Sequence, residues 1–204
     1  MLTWFIPYKN IIPEDYVSSI FDIDYNKLYS EGKRLILTDL DNTLISYKED
    51  SPNENLFIWK KMVEDIGFEV IIVSNSHNKR VKYFANQLNL PYVNLALKPL
   101  KFGFKKALRM ASRKYKIEEV VELGDQLLTD VYGSKRMKFY TILVKAIDKK
   151  TERAVTRFNR KNERKMLAKC RKKNYGLYLL KLKKYEDDNL WLDIVKAVGL
   201  NYKL

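Results

Sequence analysis

At 204 residues and 46% hydrophobic content the chain is long and apolar enough for one packed domain with an appendage, which is inconsistent with disorder throughout. Its longest apolar runs, such as VIIV at 70–73, fall far short of the ~18 residues of a membrane span; the N-terminus has no secretory pattern, and a lone cysteine, Cys170, points to a reducing, cytoplasmic location. The net charge of +14 is concentrated in residues 149–173, where twelve Lys/Arg face two acids, so a local basic element sits on an ordinary domain.

Residues 1–33 read as helical or irregular structure packed on a core, because Ile20, Phe21, Ile23 and Leu28 are too apolar for a free arm. RLILTDL (34–40) reads as a buried strand. The next stretch places Leu56, Trp59, Val63 and Ile66 at helical spacing, with Asn53 or Asn55 as cap and Gly67 as stop. EVIIVSNS (69–76) is a second strand, and Asn78 is positioned to cap a helix carrying Val81, Phe84, Ala85 and Leu88. YVNLA (92–96) is a third strand, Lys101–Tyr115 a helix, EVVELGD (119–125) a fourth strand, TDVYGSKRMKF (129–139) a short helix and turn, and YTILVKAI (140–147) a fifth strand. Strands apolar on both faces, alternating with helices, predict an α/β fold: a doubly wound parallel sheet covered on both sides. The first 150 residues form that domain in this reading. Residues 151–204 form a basic helix, capped by Thr151 and running to about Lys173, and then a tail in which Leu190, Trp191, Ile194, Val195 and Val198 share a helical face.

In such a sheet, ligands bind beyond the carboxyl ends of the strands. There the sequence places Asp39 and Asp41, Ser74 and Asn75, Lys98, and Asp125 with Asp130. Residues two apart in extended chain face the same way, so Asp39 and Asp41 can address one substrate. The first, at the strand end, is held rigidly as befits a nucleophile toward phosphorus. The second, in the loop, has freedom to carry a proton to a leaving alcohol. Carboxylates this close need a neutralising partner when a phosphate dianion approaches, and Mg²⁺ suits them, with Asp125 as a further ligand and Asp130 either joining the ligands or standing behind them. Lys98 and the Ser74 hydroxyl supply positive charge and a donor to the phosphoryl group. Taken singly, each residue also has an ordinary reading: a turn for the paired acids, a surface lysine, a capping serine. His77, the one histidine, reads as an exposed loop residue and is assigned no role.

DLDNT (39–43), VSNS (73–76), LKP (97–99) and GDQLLTD (124–130) resemble, in order, the four motifs of the haloacid dehalogenase (HAD) superfamily. Asp41 matches the phosphatase pattern, which the dehalogenases lack. More narrowly, PEDYVSSIFDID (13–24), the GDQLLTDVYGSKRM block and TRFNRKNERKML (156–167) resemble the YqeG family, subclass IIIA phosphatases related to mitochondrial phosphatidylglycerophosphate phosphatase. The resemblance runs from residue 1 to about 170. It implies a HAD-like (Rossmannoid) fold and a phosphomonoesterase with Asp39 as nucleophile and Asp41 as acid/base. It further implies Mg²⁺ on the Asp39 and Asp125 side chains and the Asp41 carbonyl. Phosphate binding would fall to Thr43, Ser74, Asn75 and Lys98.

The sequence leaves no room for an inserted cap domain, either between Asp41 and the helix that follows or in residues 99–118. A capless, open site implies a bulky substrate, with a phospholipid head group leading. The basic segment would attract an anionic membrane surface, at about 1 kcal/mol per basic group. The alternative is an RNA- or ribosome-associated binding protein that uses the same helix, although only Phe158 supplies an aromatic ring among those charges.

Overall fold

The run Leu35–Thr38 is buried at every residue, and a strand with two apolar faces needs neighbours on both edges and layers on both sides. The computed structural model, which describes residues 5–188, provides both. Its strands are β1 (Asp15–Val17), β2 (Leu35–Thr38), β3 (Glu69–Val73), β4 (Tyr92–Val93), β5 (Val120–Gly124) and β6 (Tyr140–Val144). All pair in parallel, in the order β1-β6-β5-β2-β3-β4. From β2 the chain winds outward through β3 to β4, then returns to β5 and winds the other way. The strand order therefore reverses between β2 and β5, and a crevice opens beyond their carboxyl ends. This is the doubly wound parallel arrangement expected from the sequence, with no inserted domain between β2 and the next helix.

The helices are α1 (Tyr25–Ser30), α2 (Glu54–Ile66), α3 (Asn78–Gln87), α4 (Lys101–Met110), α5 (Tyr132–Met137), α6 (Ala154–Lys173) and α7 (Tyr175–Lys181). In α2 the Asn53 side chain accepts the Leu56 N–H at 3.1 Å, and Gly67 ends the helix at φ 111°, a left-handed geometry that glycine adopts without strain. Its Leu56, Trp59 and Val63 enter the core, where the Trp59 indole donates to the Tyr25 hydroxyl at 2.8 Å. On the other face, Phe104 and Ala107 of α4 pack with Leu35, Leu37, Ile71 and Val73. A third cluster joins Leu127, Leu128 and Val131 to Met166, Leu167 and Cys170 of α6 and to Tyr178, Leu182 and Tyr185. The basic helix is thus packed against the segment that follows β5.

Several elements differ from the sequence reading. The N-terminal segment contributes a sixth strand, β1, which pairs with β6 from Asp15↔Ile142 to Val17↔Val144. Three residues are too short a run to read as a strand, although Tyr16 and Val17 favour one; the long-range ladder makes them one. Ile20, Ile23 and Leu28 are buried as expected, whereas Phe21 is exposed. Helix α4 ends at Met110 instead of Tyr115, because the Glu69 carboxylate takes the Ser112 N–H and hydroxyl and the Tyr115 hydroxyl at 2.6–3.1 Å and draws the chain out of the helix. Strand β4 stops at Val93; Leu95 and Leu97 then take positive φ of 44° and 56°. The caps move as well. His77, not Asn78, precedes α3, and Thr151 closes a short 3₁₀ turn by donating to the Asp148 carbonyl at 3.0 Å, so α6 begins at Ala154. The proposed face of Leu190, Trp191, Ile194, Val195 and Val198 lies outside the described residues. Among the described residues no helix is long and apolar enough to cross a membrane.

Candidate active site

The fold brings Asp39, Asp41, Ser74, Asn75 and Lys98 to one cavity of about 190 Å³. Asp39 is fixed at the end of β2 by its backbone, whose N–H donates to the Leu123 carbonyl at 2.8 Å on neighbouring β5. Its Oδ1 accepts from Lys98 Nζ at 2.8 Å, and the same ammonium lies 2.6 Å from Asp130 Oδ1. The Lys98 side chain is 1% exposed. Burial alone would lower its pKa, but Asp130, Asp39 and Glu122 outweigh that and hold it well above the usual value, so the amine stays charged. Burial pushes the Asp39 carboxyl up to about 7, with Lys98 opposing the rise and Asp130 and Asp41 adding to it.

Asp41 is less free than its loop position suggests. Arg80 Nε donates to its Oδ1 at 2.7 Å, and the Ser76 hydroxyl donates to Oδ2. Arg80 is itself held by Asp50 at 2.7 Å and the Ser46 carbonyl at 3.0 Å. The next residue, Asn42, sits at φ 64°, a left-handed geometry that asparagine tolerates, and its side-chain and backbone oxygens receive the N–H groups of Asp148 and Ile147 at 3.2 and 3.1 Å. Asn75 spends its amide on the chain carrying Lys98: Oδ1 accepts the Lys98 N–H at 2.8 Å and Nδ2 donates to the Lys98 carbonyl at 3.1 Å. The Ser74 hydroxyl accepts the Ser76 N–H at 3.1 Å. Thr43 stands apart: it does not line the cavity, and its hydroxyl is buried with no hydrogen-bond partner. His77 is exposed.

Asp125 and Asp130 follow β5. A glycine at 124 is required by space, since a Cβ there would stand 2.4 Å from Asp130 Cβ and Cγ. Asp130 Oδ2 accepts the Gln126 N–H at 3.0 Å. Asp125 is fully buried and gripped by Arg160 of α6, which donates Nη1 to its carbonyl at 2.6 Å and Nη2 to its Oδ2. The same guanidinium reaches Glu152 Oε1 at 3.0 Å, Glu163 Oε2 at 3.4 Å and the Tyr185 hydroxyl at 3.0 Å. Burial raises the Asp125 pKa well above the ordinary carboxylate range, with Arg160 pulling the other way. Beneath it, Glu122 is buried on β5 with neither carboxylate oxygen hydrogen-bonded, and burial, followed by Asp130, drives its pKa far upward.

One oxygen tests whether a cation suits this place. Asp125 Oδ1 is buried and has no hydrogen-bond partner, and an ionised oxygen left so is costly. A hard, oxygen-seeking cation such as Mg²⁺ fits it. Among the described residues no three Asp, Glu, His or Cys side chains gather into a ligand cluster, so a cation would rest on fewer side chains, completed by backbone carbonyl and water.

The far wall of the cavity comes from Tyr47 and from Arg153, Val155, Thr156 and Asn159 at the start of α6. Among the described residues no inserted cap is present, yet the site is narrower than an open edge, because α6 closes one side. Sequence reasoning missed Ser76, Arg80, Glu122, Arg160 and this wall. Glu122 carried a usable signal, a lone charge within the buried run VVELG; Arg160 carried none that set it apart from the other basic residues around it.

The sequence is 37% identical over 167 residues to a Bacillus subtilis (strain 168) protein described as "Probable phosphatase YqeG", across 82% of this chain and 95% of that one. No family model matches the sequence. Among solved structures, the chain is similar to the cobalt-bound deoxy-D-mannose-octulosonate 8-phosphate phosphatase (YrbI) of Haemophilus influenzae, at 14% identity, 76% and 99% coverage of the two chains and a TM-score of 0.43. It is also similar to the magnesium-bound YfnB of Bacillus subtilis, at 12% identity, 54% and 86% coverage and a TM-score of 0.42.

Proposed function

Since the chain belongs to the YqeG family of phosphatases, we propose that it is a HAD-superfamily enzyme that hydrolyses phosphomonoesters through a phosphorylated Asp39, with Mg²⁺ and with a phospholipid head group as the leading substrate. The observation that carries this reading is the buried Lys98 ammonium between Asp39 and Asp130, beside a cavity that Asp41 and Ser74 also line. A permanent charge there lets a carboxylate meet a phosphate dianion without prohibitive repulsion.

In the first step an Asp39 carboxylate oxygen bonds to phosphorus as the bond from phosphorus to the ester oxygen breaks, and Asp41 gives that oxygen its proton. In the second, Asp41 takes a proton from water while the water oxygen displaces Asp39, releasing inorganic phosphate. Arg80 and Ser76 fix the direction in which the Asp41 carboxyl faces. Mg²⁺ would be held by the Asp39 and Asp125 side chains and the Asp41 carbonyl, and when bound it supplies charge neutralisation to the phosphoryl oxygens.

The cavity takes a phosphoryl group and little more, so the rest of a substrate must lie outside it. An apolar groove of about 600 Å³, lined by Phe5, Leu97, Pro99 and Leu100, shares Asn75 and Lys98 with the catalytic cavity. A path from a phosphate pocket to an apolar groove favours an amphiphile over a sugar or nucleotide phosphate, and phosphatidylglycerophosphate is the substrate we put first. Asp39→Asn should abolish release of phosphate from a generic phosphomonoester with the circular dichroism spectrum unchanged; turnover that persists would defeat the reading. A panel of lipid, nucleotide and sugar phosphates, each with and without Mg²⁺, tests the substrate class and the cation together.

A further inference from the structure

Between β4 and α4 the chain turns apolar side chains outward. Leu95, Leu97 and Leu100 are exposed while Ala96, Lys98 and Pro99 are buried, and Leu95 and Leu97 hold φ of 44° and 56°, a left-handed geometry that is costly for leucine. The loop is nonetheless fixed: the Ala96 N–H donates to the Ser74 carbonyl at 2.9 Å, and the Ala96 carbonyl accepts the Gly103 N–H at 3.1 Å. With Phe5 and Phe102 these leucines make five large apolar side chains, each between 45% and 74% exposed. Phe5, Leu97 and Leu100 line the apolar groove that shares Asn75 and Lys98 with the candidate active-site cavity, so this edge borders the site.

Its charge is one-sided. Residues 70–117 contain eleven Lys/Arg and no Asp or Glu. In α4, Phe104 and Ala107 face the core, whereas Phe102, Lys105, Lys106 and Arg109, at spacings of three and four, share the opposite, exposed face. Among the described residues these three cations form no ion pair. We propose that this edge docks on an anionic phospholipid bilayer, with the leucines and Phe102 entering the interface and the cations of α4 meeting the head groups. Exposed apolar side chains gathered at one place mark an interaction surface, and the neighbouring cations match a partner that is negative outside and hydrocarbon within. An RNA would engage the cations and leave the leucines in water. The docking rests on the hydrolytic reading for its purpose, which is to bring a phospholipid head group to the cavity, but not for the binding itself.

The test sediments the full chain with vesicles of phosphatidylcholine, alone or mixed with phosphatidylglycerol. The wild type should partition onto the mixed vesicles and hardly onto the neutral ones. Leu95→Asn/Phe102→Ser removes two apolar groups that line neither cavity and puts at 95 a residue that tolerates left-handed backbone; it should partition about tenfold more weakly. Lys105→Ala/Lys106→Ala/Arg109→Ala should partition at least about twentyfold more weakly at low ionic strength, with the gap narrowing as salt is raised. Both variants should hydrolyse a small soluble phosphomonoester at the wild-type rate. Asp39→Asn should bind vesicles like the wild type, so loss of turnover and loss of docking are read separately: vesicle binding by a wild type that hydrolyses nothing would sink the hydrolytic reading and leave the docking in place. No uptake by the mixed vesicles, undiminished uptake by either surface variant, or binding of short RNA in place of vesicles would each overturn the proposal.

Discussion

The floor of the candidate active-site cavity and its outer wall are held in place by different forces. On the floor, Asp39 and Ser74 are located by inter-strand backbone bonds, to Leu123 and Val93 at 2.8 and 2.9 Å. Such bonds do not depend on which side chain is present, so the positions persist when a catalytic group is replaced. The wall is attached through side chains: Arg160 holds Asp125, and Asn159 donates to Gln126 Oε1 at 3.3 Å. It follows that floor substitutions should remove chemistry at a preserved site, whereas wall substitutions should move the site itself.

Lys98→Met gives the largest effect, and it blurs the contrast, because this floor residue is also a buried structural cation. The exchange leaves Asp39 and Asp130 facing each other with no counter-charge. We expect about a 10²–10³-fold loss of kcat, together with a loss of about 3–5 kcal/mol in urea denaturation. Adding Asp130→Asn should recover much of the stability and none of the activity. Recovery of both would show that Lys98 acts only as scaffold.

Arg160→Leu comes next and tests the wall directly. Asp125, Glu152 and Glu163 would lose their shared guanidinium, costing about 3 kcal/mol. Mg²⁺ affinity, read by calorimetry, should fall with the loss of orientation at Asp125. Arg160→Lys retains the charge without the two-pronged geometry, so it should restore stability more fully than Mg²⁺ affinity. If both variants bind Mg²⁺ as the wild type does, α6 is a wall and nothing more.

The same division decides what could be read from the sequence. Floor residues sit at strand ends, and strand ends are announced by local pattern: an apolar run, then an acid, a serine or a glycine. Asp39 and Ser74, which the fold brings to the cavity, sit in that pattern. What position did not reveal was orientation. Asp41 lies in a loop yet is pinned by Ser76 and Arg80, and the Asn75 amide serves the Lys98 backbone instead of facing the cavity with free groups. The wall was illegible for a deeper reason. Arg160 is one of twelve Lys/Arg in its segment, and only the packing of α6 on Leu127, Leu128 and Val131 selects which of them turns inward. Strand β1 escaped for the same reason, being a strand only because β6 is beside it.

Gly124→Ala sharpens the boundary between backbone and side-chain control at a single atom. A Cβ at this position would meet Asp130 at 2.4 Å, so either the strand end or the acid must shift. The expected cost is about 1–3 kcal/mol, with a disproportionate loss of activity, since Asp130 is a partner of Lys98. Stability lost with kcat unchanged would mean that the place of Asp130 is immaterial to the chemistry.

The smallest effect belongs to Arg153, and it separates a wall that selects from one that merely closes. Its side chain is exposed, lines the same cavity as Asp39 and Asp41 and packs over the Tyr47 ring at 5.4 Å from the centroid. It caps nothing: the position before α6 makes no side-chain hydrogen bond to the helix. Replacing it with alanine should therefore change stability by no more than about 0.5–1 kcal/mol, the worth of an exposed cation–π contact. In the proposed mechanism the phosphoryl group is held on the floor, so a small phosphomonoester should be hydrolysed by Arg153→Ala at the wild-type kcat/KM. A substrate carrying a second negative charge beyond the scissile phosphate, as a phospholipid head group does, should lose about five- to tenfold in kcat/KM, chiefly through KM, with the loss shrinking as salt is raised. Equal losses on both substrates would place Arg153 among the residues that shape the cavity; a loss confined to the doubly charged one makes the start of α6 the element that reads the substrate.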